Sequence, residues 1–194
     1  TSFNDATGFL ENTVDQTKGS ENVEGFVPAE KIKGDITTSV LLSSVTGSSD
    51  FNNDERKVKL FDSDSGTKFL TNDNVPSVEQ PVYVEFAFEQ AQILDRYAIV
   101  SANDSPERDP KNWIFFGSVD GENWVEIDSQ NNQNFEKRFE KKEVIIENPT
   151  AYQYYKIEIT ANKGNDKLTQ FADLLLGTGK DSSEVQEPTM VTKI

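Results

Sequence analysis

The stretch Lys59 to Leu70, KLFDSDSGTKFL, crowds Asp62, Asp64 and Thr67 among serine and glycine, between apolar residues that must point inward. Such a run suits a hard cation. Calcium takes roughly six to eight oxygen ligands, and a turn supplies them when carboxylates and hydroxyls alternate with free backbone carbonyls. An EF-hand is excluded, because counting from Asp62 puts Thr67 and Asp73 where that loop needs glycine and glutamate. An ordinary surface turn is the competing reading, since Asp-Ser and Ser-Gly pairs mark loops in general.

Composition narrows the chemistry further. The 194 residues contain no histidine and no cysteine, which removes Ser-His-Asp catalysis, thiol catalysis and thiolate zinc sites. Only oxygen ligands remain for a metal, and these favour calcium or magnesium. Lys plus Arg is 19 against 34 Asp plus Glu, a net charge of −15. A phosphate backbone is therefore a poor partner, because binding there runs on released counterions, and no nucleic acid is expected. No apolar run is long enough to span a bilayer, so no membrane insertion is expected.

The elements that must position these residues are strands. Val82 to Phe88 places Val82, Val84, Phe86 and Phe88 on one face in a period of two, with Pro81 at the start where a missing donor costs least. Ile36 to Val45 and Ile93 to Ser101 read as further strands. Trp113 to Ser118 and Trp124 to Ile127 flank Asp120-Gly121, a strong hairpin signal. Glu143 to Ile146, Tyr154 to Thr160 and Phe171 to Leu176 complete the set. No dozen residues hold a 3.6 period, so the expected fold is all-β, an antiparallel β-sandwich or jelly roll of about eight strands.

The chain length fits one domain with tails. Residues 1–30 are acidic with sparse apolar residues and read as a linker or loosely docked arm. Residues 31–177 are expected to form the module, and 178–194 a polar linker tail. Connectors at both ends suit a piece of a larger protein.

Three stretches together resemble the discoidin, or coagulation factor 5/8 type C, domains of the galactose-binding-like sandwiches, and the related family 32 carbohydrate-binding modules. They are LFDSDSGTKFLT, the run from Asp109 through Trp113 and Ser118-Val-Asp-Gly to Trp124, and Tyr154 to Asn162 followed by Leu168 to Leu176. The flavour of Ser101-Ala-Asn-Asp and Arg108-Asp-Pro is nearest to modules of bacterial glycoside hydrolases, including mannosidases.

The resemblance implies a structural Ca2+ between the early loop and the last strand. Carried over, its ligands are the Lys59 carbonyl, Asp62, Asp64, the Thr67 carbonyl and hydroxyl, the Ala172 carbonyl and Asp173. Asp173 stands where the family usually has glutamate, one methylene longer, so it can reach the ion through water. Ser63 replaces a glycine, and a positive φ there costs a residue with a side chain on the order of 1 kcal/mol.

The resemblance also implies ligand contacts at one rim, in the loop holding Asn103, Asp104 and Arg108. Arginine presents fixed paired donors suited to vicinal hydroxyls. A salt bridge from Arg108 to Asp104 or Asp109 is the alternative. Phe171 is the candidate aromatic for stacking on a sugar, with core packing as its other reading. Trp113 and Trp124 are expected in the core, because buried aromatics dominate such sandwiches. Glu85, Glu126 and Glu158 could form a glycosidase pair, but each falls on the polar side of an alternating strand, so no enzyme activity is expected.

The expected function is thus a non-catalytic carbohydrate-binding module of a larger secreted or cell-surface bacterial glycoside hydrolase. Its partners would be a glycan of galactose, N-acetylhexosamine or mannose type and the parent chain's catalytic domain. The alternative is a protein-interaction or architectural discoidin domain packed on a catalytic neighbour.

Overall fold

The computed structural model describes residues 27, 28 and 31–179. The expected arm and tail lie outside these residues, apart from residues 27, 28, 178 and 179. Ten strands follow in order: β1 (Thr46–Gly47), β2 (Phe69–Thr71), β3 (Val82–Ile93), β4 (Arg96–Val100), β5 (Pro110–Ser118), β6 (Val125–Gln130), β7 (Lys141–Ile145), β8 (Ala151–Asn162), β9 (Thr169–Phe171) and β10 (Asp173–Gly177). All pairings are antiparallel. One sheet runs β1-β3-β8-β5-β6, a second runs β10-β4-β7, and β2 pairs with β9.

The alternation of β3 is borne out from Val82 to Phe86, and Ala87 is buried as well before Phe88. Val82, Val84, Phe86 and Phe88 are buried, whereas Tyr83 and Glu85 between them are only partly covered. These side chains meet Trp113, Phe115, Tyr155, Ile157 and Ile159 from the same sheet, and Tyr97, Ile99, Leu174 and Leu176 from the other. The Tyr97 and Phe115 rings stack at 4.4 Å between centroids. Full burial of each such side chain stabilises by about 1.5–3 kcal/mol, which makes this seam the main adhesive between the layers.

Buried polar atoms inside the seam are paired. Trp113 Nε1 donates to the Tyr97 hydroxyl at 2.9 Å, and that hydroxyl donates onward to Asp128 at 2.6 Å. Burial, with the Asp128 carboxylate beside it, pushes the Tyr97 phenol well above its usual range. Where β3 and β8 lose register between Ala87 and Gln92, the Gln153 amide donates to the Phe88 and Glu89 carbonyls. A side chain there replaces the missing backbone partners.

Two expectations about elements are corrected. Ile36 to Val45 is not a strand but two 3-10 turns, Thr37–Ser39 and Leu42–Ser44, leading into the short β1. The Ser44 hydroxyl donates to the Leu41 carbonyl, a local bond that competes with sheet pairing. Phe171 to Leu176 is interrupted at Ala172, whose N–H donates to the Val100 carbonyl at 2.8 Å. The last strand thereby leaves β2 and joins β4, which lets one segment carry two different polar residues, Gln170 and Asp173, into the interior. The described ends also meet: Asp35 bridges Gly177, and the Thr178 N–H donates to the Gly34 carbonyl at 2.9 Å.

Candidate functional site

Two polar clusters converge on this last segment, one at Asp173 and one at Gln170. Asp173 is fully buried at the start of β10. Its Oδ2 accepts a hydrogen bond from the Ser65 hydroxyl at 2.5 Å, and its Oδ1 is buried without a partner. Burial first, and then the nearby Asp62, Asp64 and Asp35 carboxylates, push its carboxyl up to about 7.

The facing loop is shaped by its own side chains. Asp62 Oδ1 accepts the Asp64 N–H at 3.0 Å, and its Oδ2 accepts the Thr67 hydroxyl at 2.6 Å. Asp64 Oδ1 accepts the Gly66 and Val27 N–H groups, both at 2.8 Å, so residue 27 is held on this loop. Burial raises the Asp62 carboxyl, against the lowering effect of those hydrogen bonds. Ser63 has φ 58, the positive value that the replaced glycine foreshadowed. Lys59 lies in the 3-10 turn Lys57–Phe61 that leads into the loop.

These residues fit a hard cation in part by themselves. The donor set is all oxygen, Asp173 Oδ1 is orphaned, and neighbouring carboxylates load the place with negative charge. Among the described residues no three acidic side chains converge tightly enough to hold a metal alone. A cation there needs carbonyl or water oxygens as well, as calcium sites ordinarily use.

The second cluster lies at the rim. Residues 102 to 109 are pinned by Arg138, which forks onto Asp109 at 2.9 and 2.6 Å and also donates to the Ala102 and Asp104 carbonyls. Burial raises the Asp109 carboxyl even so. Arg138 takes Asp109 and Lys68 takes Asp104 at 2.9 Å, and the alternative reading of Arg108, a salt bridge to Asp104 or Asp109, is not met among the described residues. Arg108 Nη1 instead donates to Gln170 Oε1 at 3.3 Å, and its Nε is buried without a partner.

Gln170 is fully buried in β9 and ties the rim together. Its Nε2 donates to the Asp104 carbonyl at 2.7 Å and to the Asp104 carboxylate at 3.1 Å. Burial tends to raise the Asp104 carboxyl, but the Lys68 and Gln170 hydrogen bonds win and hold it below its usual value. An open depression of about 430 Å³ results, with Arg108, Asp104 and Lys68 beside Phe51, Leu70 and Leu168. Phe51 is 46% exposed and offers the aromatic surface.

Phe171 cannot serve as a stacking platform. It is fully buried, edge-on to Phe69 at 6.2 Å, because it shares the inward face of the β2–β9 pair. Asn103 and Asp104 are exposed at the rim, as a contact loop requires. Trp113 is in the core, but the expectation for Trp124 is corrected. Trp124 is only partly buried on the outer face of the larger sheet, where the Lys156 ammonium sits 4.6 Å from its ring centre. Glu158 pairs with Lys156 at 3.2 Å on a partly covered face, and Glu126 is exposed.

Sequence reasoning missed Phe51, Lys68 and Gln170. The signal for Phe51 was a lone aromatic inside the polar run Ser48-Ser-Asp-Phe-Asn-Asn-Asp54. Gln170 stands between Leu168 and Phe171 in a stretch that leads into the apolar run Leu174 to Leu176, which marks a buried amide that needs partners.

The F5/8 type C domain model matches residues 44–174. Among solved structures, the fold is similar to the module CBM32-5 of CpGH89 from Clostridium perfringens, in complex with GalNAc-β-1,3-galactose. That likeness has a TM-score of 0.60 and 13% identity, over 74% of this chain and 99% of that one. The family 32 module of C. perfringens NanJ, in complex with galactose, gives a TM-score of 0.57 and 14% identity over 75% and 98%. A peptide-N(4)-(N-acetyl-beta-glucosaminyl)asparagine amidase of Arabidopsis thaliana is 48% identical over 63 residues, which is 32% of this chain and only 9% of that protein. With its sandwich, its early loop and its closing strand all in place, the chain belongs to the F5/8 type C domain family.

Proposed function

We propose that this chain is a non-catalytic carbohydrate-binding module, that it holds glycan in the rim groove, and that calcium joins its early loop to its last strand. The observation that carries the glycan reading is Arg108. A buried guanidinium Nε without a partner, beside an exposed Phe51, matches a ligand with an apolar ring face and hydroxyl acceptors at its edge. Family 32 structures in complex with galactose and GalNAc-β-1,3-galactose share the fold and support the same class of ligand.

In this reading Arg108 and Lys68 donate to sugar hydroxyls, Asp104 accepts from them, and Phe51 covers one ring face. Asn103 borders the same loop. The cation would be held by Asp62, Asp64, Thr67 and Asp173, with the Lys59 and Ala172 carbonyls. It would supply a charged crosslink between distant chain segments rather than chemistry on a substrate. Asp173 Oδ1, the orphan acceptor, is the support for it.

Modules of this kind act by raising the local concentration of an attached catalytic domain near its substrate. A secreted or surface glycoside hydrolase is one such parent. The likeness to the Arabidopsis amidase favours a second, a protein acting on N-acetylglucosaminyl-asparagine, with N-acetylglucosamine as the sugar. Among the described residues no helix is long and apolar enough to cross a membrane.

Calorimetry with galactose, N-acetylgalactosamine, N-acetylglucosamine and mannose in calcium buffer tests the proposal. Binding of one of them, weakened by Arg108→Ala, is the expected result. Silence from all four at millimolar sugar would overturn it.

A further inference from the structure

The rim groove does not end at Phe51 and Arg108. A second depression of about 550 Å³ adjoins it, and the two share Glu55, Lys68 and Asp104. Those three side chains form a saddle. Lys68 Nζ lies 2.9 Å from Asp104 Oδ1 and 3.7 Å from Glu55 Oε2, with the lysine side chain only 10% exposed. A cation buried to that degree and held from two sides is a fixed wall rather than a mobile surface lysine.

The halves differ in chemistry. On the near side Phe51, Leu70 and Leu168 give apolar surface. On the far side the lining is Asn52, Asp54, Asn103 and Thr67, with no aromatic or branched aliphatic residue. The far wall is also built in advance. Asn52 Oδ1 accepts the Asp54 and Glu55 N–H groups at 2.9 Å each, and its amide donates to Glu55 at 2.8 Å. Preorganised donors and acceptors lose little on ordering when a ligand arrives.

Charge selects the class of ligand. An anion entering the far half would face Asp54, Glu55 and Asp104, and a cation would face Lys59 and Lys68. A neutral, hydroxyl-rich unit satisfies both signs, because each hydroxyl donates and accepts.

We infer that the groove takes at least two linked neutral sugar residues, one on Phe51 and Arg108 and the next across the Lys68 saddle, against Asp54 and Asn103. This rests on the glycan reading of the near half. The ligand class is thereby a disaccharide or longer glycan. A lone hexose leaves the far half to water.

Calorimetry on the full chain compares galactose and N-acetylgalactosamine with GalNAc-β-1,3-galactose, and N-acetylglucosamine with di-N-acetylchitobiose. For the pair that binds, the disaccharide is expected about tenfold tighter than its better monosaccharide, the worth of one or two net hydrogen bonds. Asp54→Ala is expected to pull that ratio toward one, and Asn103→Ala, on an exposed residue of the opposite wall, to do the same. Phe51→Ala is expected to weaken both members of the pair. A ratio of one in the parent chain, or equal loss for both sugars in Asp54→Ala and Asn103→Ala, overturns the inference and leaves the near-half reading standing. Absence of binding by every sugar overturns that reading and this one together.

Discussion

Gln170 and Asp173 lie three positions apart on the closing segment, and both are fully buried, yet they leave opposite needs unmet. Around Gln170 the atom without a partner is a donor, Arg108 Nε, whereas at Asp173 it is an acceptor, Asp173 Oδ1. A missing acceptor suits a hydroxyl-bearing ligand, and a missing donor amid neighbouring carboxylates suits a cation. The change of neighbours at Ala172 makes the difference, because it carries the chain from β2 to β4 and so from the rim to the early loop. One chain segment, split between β9 and β10, thus carries two unmet needs of opposite polarity.

The most severe way to break this comparison is to remove the cation. If calcium completes Asp173, chelation is expected to lower the melting temperature by about 5–10 °C, the effect of losing a ligand held well above its dissociation constant. Asp62→Ala is expected to behave like the chelated protein and to respond little to chelator. A thermal scan of metal-loaded protein that ignores chelator would remove the cation from the picture.

Next in size is Gln170→Leu. The leucine fills the space but strands Arg108 Nη1 and leaves the Asp104 carbonyl with Arg138 as its remaining donor, at a cost of about 1–3 kcal/mol or about 3–8 °C. Sugar affinity should fall with it, since the rim loses its brace. Calorimetry showing full affinity in a destabilised variant would reduce Gln170 to a packing residue.

Phe51→Ala sharpens the comparison from the other side. Because the ring is 46% exposed, the melting temperature should barely move. Affinity for sugar should fall about tenfold, as expected when a stacking surface is lost. A variant that binds as well as its parent would leave Arg108 as the sole support for the groove.

The smallest effect concerns pH. The Asp104 carboxyl is depressed by Lys68 and Gln170 against the opposing effect of burial. A depressed folded value contributes stability that is present above the unfolded value of 3.8 and is lost as the pH falls through the folded one. Acid titration followed by circular dichroism should therefore show a shallower loss of stability in Asp104→Asn than in the parent, confined to the acid side of 3.8. Identical acid limbs would deny Asp104 this role.

How much of this was legible in the sequence depends on the range of the interaction. The β3 alternation and the Asp-Gly hairpin read correctly because each is local: a period of two, and a turn that needs a positive φ, found at Gly121 with φ 80. Ser63 likewise revealed a left-handed position through the residue it replaced. Trp124 did not read correctly, since its place after the turn allows either face of the sheet until β8 brings Lys156 over its ring.

The sequence by itself determined an all-β sandwich, excluded histidine and thiol chemistry, and marked an oxygen-rich loop, because composition and short-range periodicity suffice for these. The tertiary structure decided which residues meet. Arg108 finds Gln170 across 62 positions, and Ser65 finds Asp173 across 108. It also sent Phe171 inward and left Phe51 at the groove. Pairings over such spans are set by strand order and by a break at one alanine, and no local pattern encodes them.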